Sequence, residues 1–253
     1  MAWQTPKLNW TPADGVRDTD FNRIEGNLLE LYNTDAVRAA RTIYVSTSGN
    51  DSSGNGSQNQ PYRTIGKALS VLPKNLNGMT VTISIGTGTY AEDVVVDGFS
   101  NGVLDFTGSG TATLQSLTVS GGSTLQISLL SIATTTTGTG VFVTEGSKLI
   151  DLSNITCTGA GTGVRVANCG KAYIGGTLTI NNNGTGLAVD SNGSAFVSQL
   201  AGSGSRTAMT ASAGGVIAYG SNAATITSAI MATSTGGRIN TGSQTGSGGG
   251  GVL

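Results

Sequence analysis

The clearest pattern in the chain is an internal repeat of short alternating segments over residues 81–253. Within each repeat, apolar side chains alternate with polar ones, which is typical of β-strands with one buried face. The repeats align when the sequence is cut at Val81, Val103, Leu125, Leu149, Ala172, Ala195, Ile217 and Ile239. This period of roughly 22–24 residues is in the range of solenoid repeats. A unit of this length cannot bury its own apolar face, so stacked units must share one core.

One phrase recurs at a constant interval and supports the same alignment. Gly140-Val-Phe-Val is followed one repeat later by Gly163-Val-Arg-Val, and after one more by Gly186-Leu-Ala-Val. We expect such glycines at corners, where the backbone needs positive φ. The pattern predicts an all-β fold, a parallel β-helix of about eight coils that forms a rod of about 38 Å at ~4.8 Å per coil. The consensus of leucine-rich repeats, which have a similar period, is absent.

Residues 1–41 differ from the repeats, because they carry dense charges and a short apolar seam. The seam advances in steps of 3, 4 and 3 through Phe21, Ile24, Leu28 and Leu31. This spacing is that of one face of a helix or of a short coiled coil. Such a short helix is marginal alone. It predicts either a helix packed on its own domain, or a homotrimer stalk or docking helix.

The start of this helix is indicated by residues that favour the N-cap position. Four of them occur together: Asp18, Thr19, Asp20 and Asn22. The pair Asn22 and Glu25 also has capping-box spacing, so it marks one expected helix start.

Residues 42–98 are expected to open the β-helix. Residues 42–46 alternate like a strand, and residues 49–60 form a loop rich in Gly, Asn, Ser and Asp. We expect Pro61 to open a helix over residues 62–72 and this helix to cap the exposed edge of the first coil.

The chain therefore divides into four segments. They are a helical attachment segment, an opening segment with the capping helix, the β-helix and a Gly-rich tail, at residues 1–41, 42–98, 99–241 and 242–253. The tail offers no C-terminal cap, so we expect it to be flexible or to continue into a partner.

Composition narrows the partners. The net charge is −1, and the 13 basic residues are scattered, which argues against nucleic acid as a partner. No apolar run approaches the ~20 residues of a membrane helix, and residues 1–10 do not look like a signal peptide. We expect synthesis in a cytosol, no membrane insertion and no cofactor.

The chain has no His and two cysteines, Cys157 and Cys169. Two cysteines do not make a disulfide framework. They are about half a repeat apart and should not stack, so we expect two small buried thiols and no bound metal.

Acidic residues are the first candidates for catalysis. Asp105 and Asp151 lie two repeats apart with Ser128 between them. In one column they would stand about 9.6 Å apart, at the upper limit for an inverting glycosidase pair. A second column is predicted through Glu145, Asn168 and Asp190. The alternative is isolated carboxylates on a solvated rod.

Other side chains suit ligand contact or packing. Aromatic residues that suit sugar stacking are Phe142, Tyr173, Phe196 and Tyr219. The basic residues in the repeats are Lys148, Arg165, Lys171, Arg206 and Arg238. Strands also carry aromatic residues for packing alone.

A Thr-x-Thr motif recurs about once in each of four successive repeats, starting at Thr111, Thr134, Thr156 and Thr177. Stacked, the motifs would form a flat hydroxyl array like that of ice-binding solenoids. The alternatives are an array buried between chains of a trimer, and ordinary outward threonines on strands.

Two stretches resemble known families. Residues 43–96 contain Ile-Tyr-Val-Ser-Thr-Ser-Gly-Asn-Asp, then Pro-Tyr-Arg-Thr-Ile-Gly-Lys-Ala-Leu and Gly-Thr-Tyr-Ala-Glu. They are similar to the opening of pectate-lyase-like right-handed β-helix domains, which include many phage tailspikes. Residues 5–31 contain Thr-Pro-Lys-Leu-Asn-Trp-Thr-Pro and Asp-Phe-Asn-Arg-Ile-Glu-Gly-Asn. They resemble the N-terminal attachment segment of phage tail or baseplate proteins.

These resemblances imply a homotrimer in the virion, anchored on another tail or baseplate protein through residues 1–41. The residues expected to attach it are Trp10, Asp20, Phe21, Asn22, Arg23, Ile24, Glu25, Leu28 and Leu31. The resemblance to attachment segments, together with the small number of ionisable groups, implies a structural or receptor-binding tail part and no enzyme. A host-surface polysaccharide is an expected receptor. The alternatives are a polysaccharide depolymerase, with Asp105 or Asp151 as its acids, and an ice-binding solenoid.

Overall fold

The computed structural model describes residues 17–37, 39–134, 137–151, 153–227, 230–233 and 236–241, with the single residues Thr5, Thr11 and Gly15. The helices in this part of the chain are α1 (Asp18–Asp35) and α2 (Ile65–Ser70). The strands are β1 (Arg41–Val45), β2 (Thr80–Ile85), β3 (Gly88–Asp97), β4 (Val103–Ser120), β5 (Thr124–Thr134), β6 (Thr139–Val143), β7 (Lys148–Asp151), β8 (Asn154–Thr158), β9 (Thr162–Val166), β10 (Lys171–Asn181), β11 (Thr185–Val189), β12 (Ser194–Ser203), β13 (Thr207–Ala211), β14 (Val216–Thr227), β15 (Ile230–Thr233) and β16 (Arg238–Thr241).

The strands pair in parallel along three ladders. The first ladder joins β1, β2, β7 and β16 with the leading parts of β4, β5, β10, β12 and β14. The second joins β3 and the middle of β4 to β8 and the trailing parts of β5, β10, β12 and β14. The third runs from the ends of β3 and β4 through β6, β9, β11 and β13 to β15. The fold is therefore a parallel β-solenoid with few helices.

The predicted alignment of the repeats is almost the observed register. The inward column of the first ladder runs through Val81, Leu104, Leu125, Leu149, Ala172, Ala195, Ile217 and Ile239. Only Val103 is wrong, by one residue, because Leu104 is fully buried while Val103 faces outward. The handedness and the count of about eight coils stay predictions, since parts of the last repeats lie outside the described residues.

The inward positions of all three ladders form one core. On the first ladder, a second inward column holds Phe106, Ile127, Ile174 and Val197, all with no exposed surface. Burial of each such side chain contributes roughly 1.5–3 kcal/mol. This shared core holds the turns in register, because shifting a strand by one residue would expose its apolar side chains.

The repeated Gly-Val phrase lies on the third ladder, in register as predicted, but its glycines have another role. Gly140, Gly163 and Gly186 are not in the positive-φ region, so that prediction is wrong for them. A Cβ on Gly163 would lie 2.6 Å from the carbonyl oxygen of Gly186 on the next strand. These glycines allow close approach of neighbouring backbones.

Positive φ is concentrated instead at a stacked column of tight turns. In one turn, Glu145 and Gly146 have φ of 54° and 70°, and the Ser147 N–H donates to the Thr144 carbonyl at 3.0 Å. Two consecutive positive φ angles with this bond define a type I′ turn. The equivalent central pairs are Asn77-Gly78, Gly121-Gly122, Asn168-Cys169, Ser191-Asn192 and Ala213-Gly214.

The helix α2 packs at the start of the solenoid against β1 and β3 and buries Ile65, Ala68 and Leu69. The prediction that Pro61 opens a helix over residues 62–72 is wrong at its boundaries. Thr64 is the N-cap, and its Oγ1 accepts the Lys67 N–H at 3.1 Å. A local side-chain cap therefore decides where the helix starts.

The helix α1 begins at Asp18, ahead of the capping-box pair proposed at Asn22 and Glu25, so that prediction is wrong. The Asp20 carboxylate accepts the Arg17 N–H at 3.1 Å, which satisfies a donor at the helix start. Asp18 and Asp20 also place negative charge at the positive end of the helix dipole. The predicted tail, residues 242–253, lies outside the described residues.

Candidate functional site

The two acids predicted to form a catalytic pair do not share a column. Asp105 pairs with Gln126, and Gln126 pairs with Ile150. Asp151 is one position further along and pairs with Ile127 and Ile174. Because side chains alternate along a strand, Asp105 faces outward and Asp151 faces the core. The predicted column through Ser128 is therefore wrong.

Asp151 is a buried carboxyl group with incomplete hydrogen bonding. It has no exposed surface, and its Oδ1 accepts the Ser153 N–H at 3.0 Å. Its Oδ2 has no hydrogen-bond partner among the described residues. Burial raises the pKa of Asp151 to about 6, against the backbone hydrogen bond from Ser153, which lowers it. A glycosidase needs two carboxyl groups, one on each side of the bound substrate. Asp151 is buried, so a substrate cannot reach its carboxyl group.

The second predicted acidic column is also displaced by one residue. The turn column places Ser191, and not Asp190, in line with Glu145 and Asn168. Glu145 Oε2 accepts the Gly121 N–H at 3.1 Å. Asp190 accepts two bonds from Arg165, at 2.9 and 3.2 Å. Both carboxylates therefore have structural partners.

Arg165 is held from two sides. The hydrogen bond to Asp190 raises the pKa of the Arg165 guanidinium, so it stays charged. The same group lies over the Phe142 ring at 5.4 Å from the centroid. Phe142 is thereby covered by a neighbouring side chain and is a poor sugar platform.

The cysteines do not form a disulfide or a metal site. Cys157 is buried, as predicted, and burial raises the pKa of its thiol to about 11. Cys169 is exposed at a type I′ turn, so the prediction of a second buried thiol is wrong. Among the described residues, no three His, Cys, Asp or Glu side chains cluster to hold a metal ion. No helix in that part of the chain has the length and apolar character to cross a membrane.

The predicted threonine array is not formed. Ala133 interrupts the column between Thr113 and Thr156, although Thr156 and Thr179 do stack. Thr134 points into the core with 2% exposure. Thr136 lies outside the described residues. The repeats differ in length, so motifs at a nearly constant spacing fall at different positions on the ladder.

Two of the predicted aromatic residues form a pair on the outward side of the first ladder. Tyr173 and Phe196 occupy facing positions on β10 and β12, with ring centroids 5.0 Å apart and planes within 9°. Tyr173 is 46% exposed. Tyr219, in contrast, points inward and is buried. Phe196 is partly buried, so Tyr173 is the more accessible ring of the pair.

Two lysines lie on one side of this aromatic pair, two residues earlier along the strands. Lys148 on β7 pairs directly with Lys171 on β10, and both are exposed. Ile150, next to Lys148 on the same side, pairs with Tyr173. We call these residues the basic-aromatic face: Lys148, Ile150, Lys171, Tyr173 and Phe196. The sequence contained a signal for the lysine pair, because the two lysines are one repeat apart.

The predicted attachment residues lie on α1 or before it. Phe21, Ile24 and Leu28 are 58%, 55% and 64% exposed and follow the helical spacing; we call them the apolar stripe. Asp20 forms an ion pair with Arg23 at 3.3 Å. The remaining predicted residues are either exposed, as are Asn22 and Glu25, or lie outside the described side chains, as do Trp10 and Leu31.

No protein-family model, no curated protein and no solved structure matches this chain. The resemblances to phage attachment segments and to pectate-lyase-like domains therefore stay predictions. Three features of the described residues bear on function: the apolar stripe, the basic-aromatic face and the placement of the acids.

Proposed function

We propose that the chain is a structural or receptor-binding part of a bacteriophage tail, of the spike, fibre or baseplate type. In this proposal, residues 1–41 anchor it on another tail or baseplate protein. A homotrimer of right-handed β-helices of about eight coils, roughly 38 Å long at ~4.8 Å per coil, projects from the particle. It is assembled in the host cytoplasm and located in the virion.

The observation that carries the proposal is the apolar stripe of α1. Three large apolar side chains on one helix face are more than half exposed, at Phe21, Ile24 and Leu28. Apolar residues at this spacing are what a coiled-coil seam or a docking helix buries against a partner. None of the three belongs to the core of the solenoid, so the described part of the chain does not cover them.

The connection between α1 and the solenoid also supports the proposal. It is joined to α1 by a short connection, and Ala36 and Val37 in that connection are buried. The Val37 N–H donates to the Asn75 carbonyl at 2.9 Å, which ties the end of α1 to the solenoid. A rigid body attached to an exposed apolar helix is suited to projection from an assembly.

The depolymerase alternative is not supported by its predicted acids. Asp105 and Asp151 face opposite sides of the same ladder, so they cannot act together on one substrate. This alternative nevertheless makes a direct prediction, the release of saccharide from host-surface polymer. Such release by the purified chain would contradict the non-enzymatic role.

The proposal is tested by the variant Ile24→Asp/Leu28→Asp, which places charges in the apolar stripe. We expect it to keep the β-sheet circular dichroism spectrum of the natural chain, because these side chains lie outside the solenoid core. We also expect it to be monomeric by native mass spectrometry and absent from purified phage particles probed with an antibody.

The matched control is Val71→Asp/Val95→Asp, which adds two charges at exposed apolar positions outside α1. This variant should remain trimeric and be incorporated. A stripe variant that is incorporated as well as the control would overturn the proposal.

A further inference from the structure

The basic-aromatic face presents its side chains from three successive strands of one ladder. Lys148 faces Lys171, and Ile150, Tyr173 and Phe196 follow one another across β7, β10 and β12. The alternate positions on the same strands are core residues such as Leu149, Ala172 and Ile174, so the backbone beneath the face is fixed. The face is therefore backed by the core, and its side chains project from adjacent parallel strands along which an extended chain can lie.

The two lysines are an unbalanced charge on this surface. Facing residues of adjacent strands are about 4.8 Å apart, and like charges at facing positions repel. Neither lysine forms an ion pair with a described residue, whereas the nearby acids have other partners or directions. Glu145 binds the Gly121 N–H, Asp190 binds Arg165, and Asp151 points inward. Asp105 is on the same outward side of the ladder, but it lies two strands away from Ile150 and does not pair with either lysine. An anion bound between the lysines would remove the repulsion.

The aromatic pair is already ordered for contact. Stacking on Phe196 limits the rotation of Tyr173, so little side-chain entropy remains to be lost on binding. A Cβ on Gly175 would lie 2.9 Å from the Tyr173 ring, so the glycine leaves room for the ring to lie along the strand. The partly exposed Tyr173 has a ring and a hydroxyl, which together suit a ligand with both C–H and hydroxyl groups.

We propose that the basic-aromatic face binds an anionic polysaccharide, with its acidic groups at Lys148 and Lys171 and its sugar rings against Tyr173. This inference rests on the proposed receptor-binding role and names the chemical class of the receptor. Carboxylate or phosphate groups on the sugar chain provide the same chemistry. Nucleic acid fits less well as a ligand. A typical complex with nucleic acid makes roughly 6–10 phosphate contacts, and added salt lowers its affinity ~10³–10⁵-fold. Two lysines cannot make that many contacts.

The test uses the full chain and fluorescently labelled oligogalacturonate, with dextran as the neutral polymer and poly-glutamate as the acidic peptide. We expect oligogalacturonate to bind in preference to both others, and added salt to weaken that binding because it screens the lysines. Equal binding of dextran, or tighter binding of poly-glutamate, would overturn the assignment. A phosphorylated oligosaccharide tested in parallel identifies which acidic group is preferred.

The variant Lys148→Gln/Lys171→Gln should weaken binding about tenfold or more, as expected for loss of two charge-assisted contacts. Tyr173→Ala should also weaken it. The control Arg63→Gln/Arg206→Gln removes the same charge at exposed positions elsewhere and should bind like the natural chain. The charge-conserving Lys148→Arg/Lys171→Arg should retain binding. Equal affinities of the glutamine variant and the control would contradict the site.

This binding assay is separate from the test of attachment. A chain whose face binds oligogalacturonate but which is absent from particles supports the site and contradicts the tail role. A chain that is present in particles but whose face variants bind unchanged contradicts the site alone.

Discussion

Asp151 occupies an inward position of the first ladder, where its neighbours on the adjacent strands are Ile127 and Ile174. A carboxyl group there has little access to water and one of its oxygens lacks a hydrogen-bond partner among the described residues. Burial therefore disfavours the charged form and favours the protonated one. Because its side chain points inward, Asp151 is not an accessible catalytic acid but a core residue whose protonation depends on pH.

The pH dependence follows from the raised pKa of Asp151, about 6 in the folded protein against an ordinary value of 3.8. The folded state binds this proton more tightly than the unfolded state does. The stabilisation is therefore complete below about pH 4 and is lost as the pH rises through about 6. At 1.36 kcal/mol per pKa unit, it amounts to roughly 3 kcal/mol.

Asp151→Asn removes this titration while conserving the shape of the side chain. We expect the difference in the free energy of unfolding between the natural chain and the variant to change by roughly 3 kcal/mol between pH 4 and pH 7. Urea unfolding at several pH values measures it. Parallel pH profiles for the two proteins would show that Asp151 does not titrate between folded and unfolded states.

At the scale of elements, the ladder decides where glycine is required. Gly163 on β9 faces the backbone of β11, whereas Gly122 lies in an exposed type I′ turn with φ of 74°. The first position excludes a Cβ because of a neighbouring strand. The second restricts only the backbone conformation, which asparagine also tolerates. Glycine is therefore used at one position because a Cβ has no space, and at the other because the backbone has a positive φ.

Gly163→Ala should destabilise the fold by about 1–3 kcal/mol, the range for overpacking a tight interior. Its Cβ would lie 2.6 Å from the Gly186 carbonyl oxygen and 3.2 Å from Cys157 Cβ. The control Gly122→Asn has no atom within 4 Å of the added Cβ and should change stability little. Urea unfolding compares the two variants, and equal stability would argue against close strand approach at Gly163.

At the scale of the whole molecule, the solenoid is a stack in which each turn contacts chiefly its neighbours. Such a stack should tolerate the removal of one complete repeat if the strands on either side remain in register. Lys148 faces Lys171, and Leu149 faces Ala172, so residues 149–171 span one repeat. Their deletion joins two equivalent positions of the ladder.

We expect the chain lacking residues 149–171 to fold, with a β-sheet circular dichroism spectrum and a cooperative unfolding transition at a lower temperature. The matched control lacks residues 149–172, one residue more. That extra residue reverses the inward and outward faces of the following strand, so the control should aggregate or remain unfolded. Similar behaviour of the two deletions would contradict the observed register.

Local pattern was sufficient for the repeat and most of its register. Alternation has a period of two, and the buried column through Leu125, Leu149 and Ala172 follows from it directly. The error at Val103 arose because Val103 and Leu104 are both apolar, and alternation alone cannot choose between them. The helix starts were misplaced because local side-chain hydrogen bonds decide them: Thr64 Oγ1 accepts the Lys67 N–H, and the Asp20 carboxylate accepts the Arg17 N–H.

Which chemically active residues share a column could be established only from the tertiary structure. Successive turns differ in length, since the step from Leu104 to Leu125 is shorter than the step from Leu125 to Leu149. A distance of two average repeats therefore does not place two residues in one column, and Asp105 and Asp151 were separated for this reason. The two lysines are only one repeat apart, so differences in turn length do not accumulate between them and their spacing indicates the pair correctly.

By itself, the sequence determined that this chain stacks parallel strands around a shared core, because repeats too short to bury their own apolar face must do so. The tertiary structure alone decided which side chains face the core and which face solvent. It placed Asp151 inside, Lys148 and Lys171 together outside, and the apolar stripe of α1 in solvent. The reason is that direction depends on the summed lengths of the turns and on packing between distant segments, which no local pattern specifies.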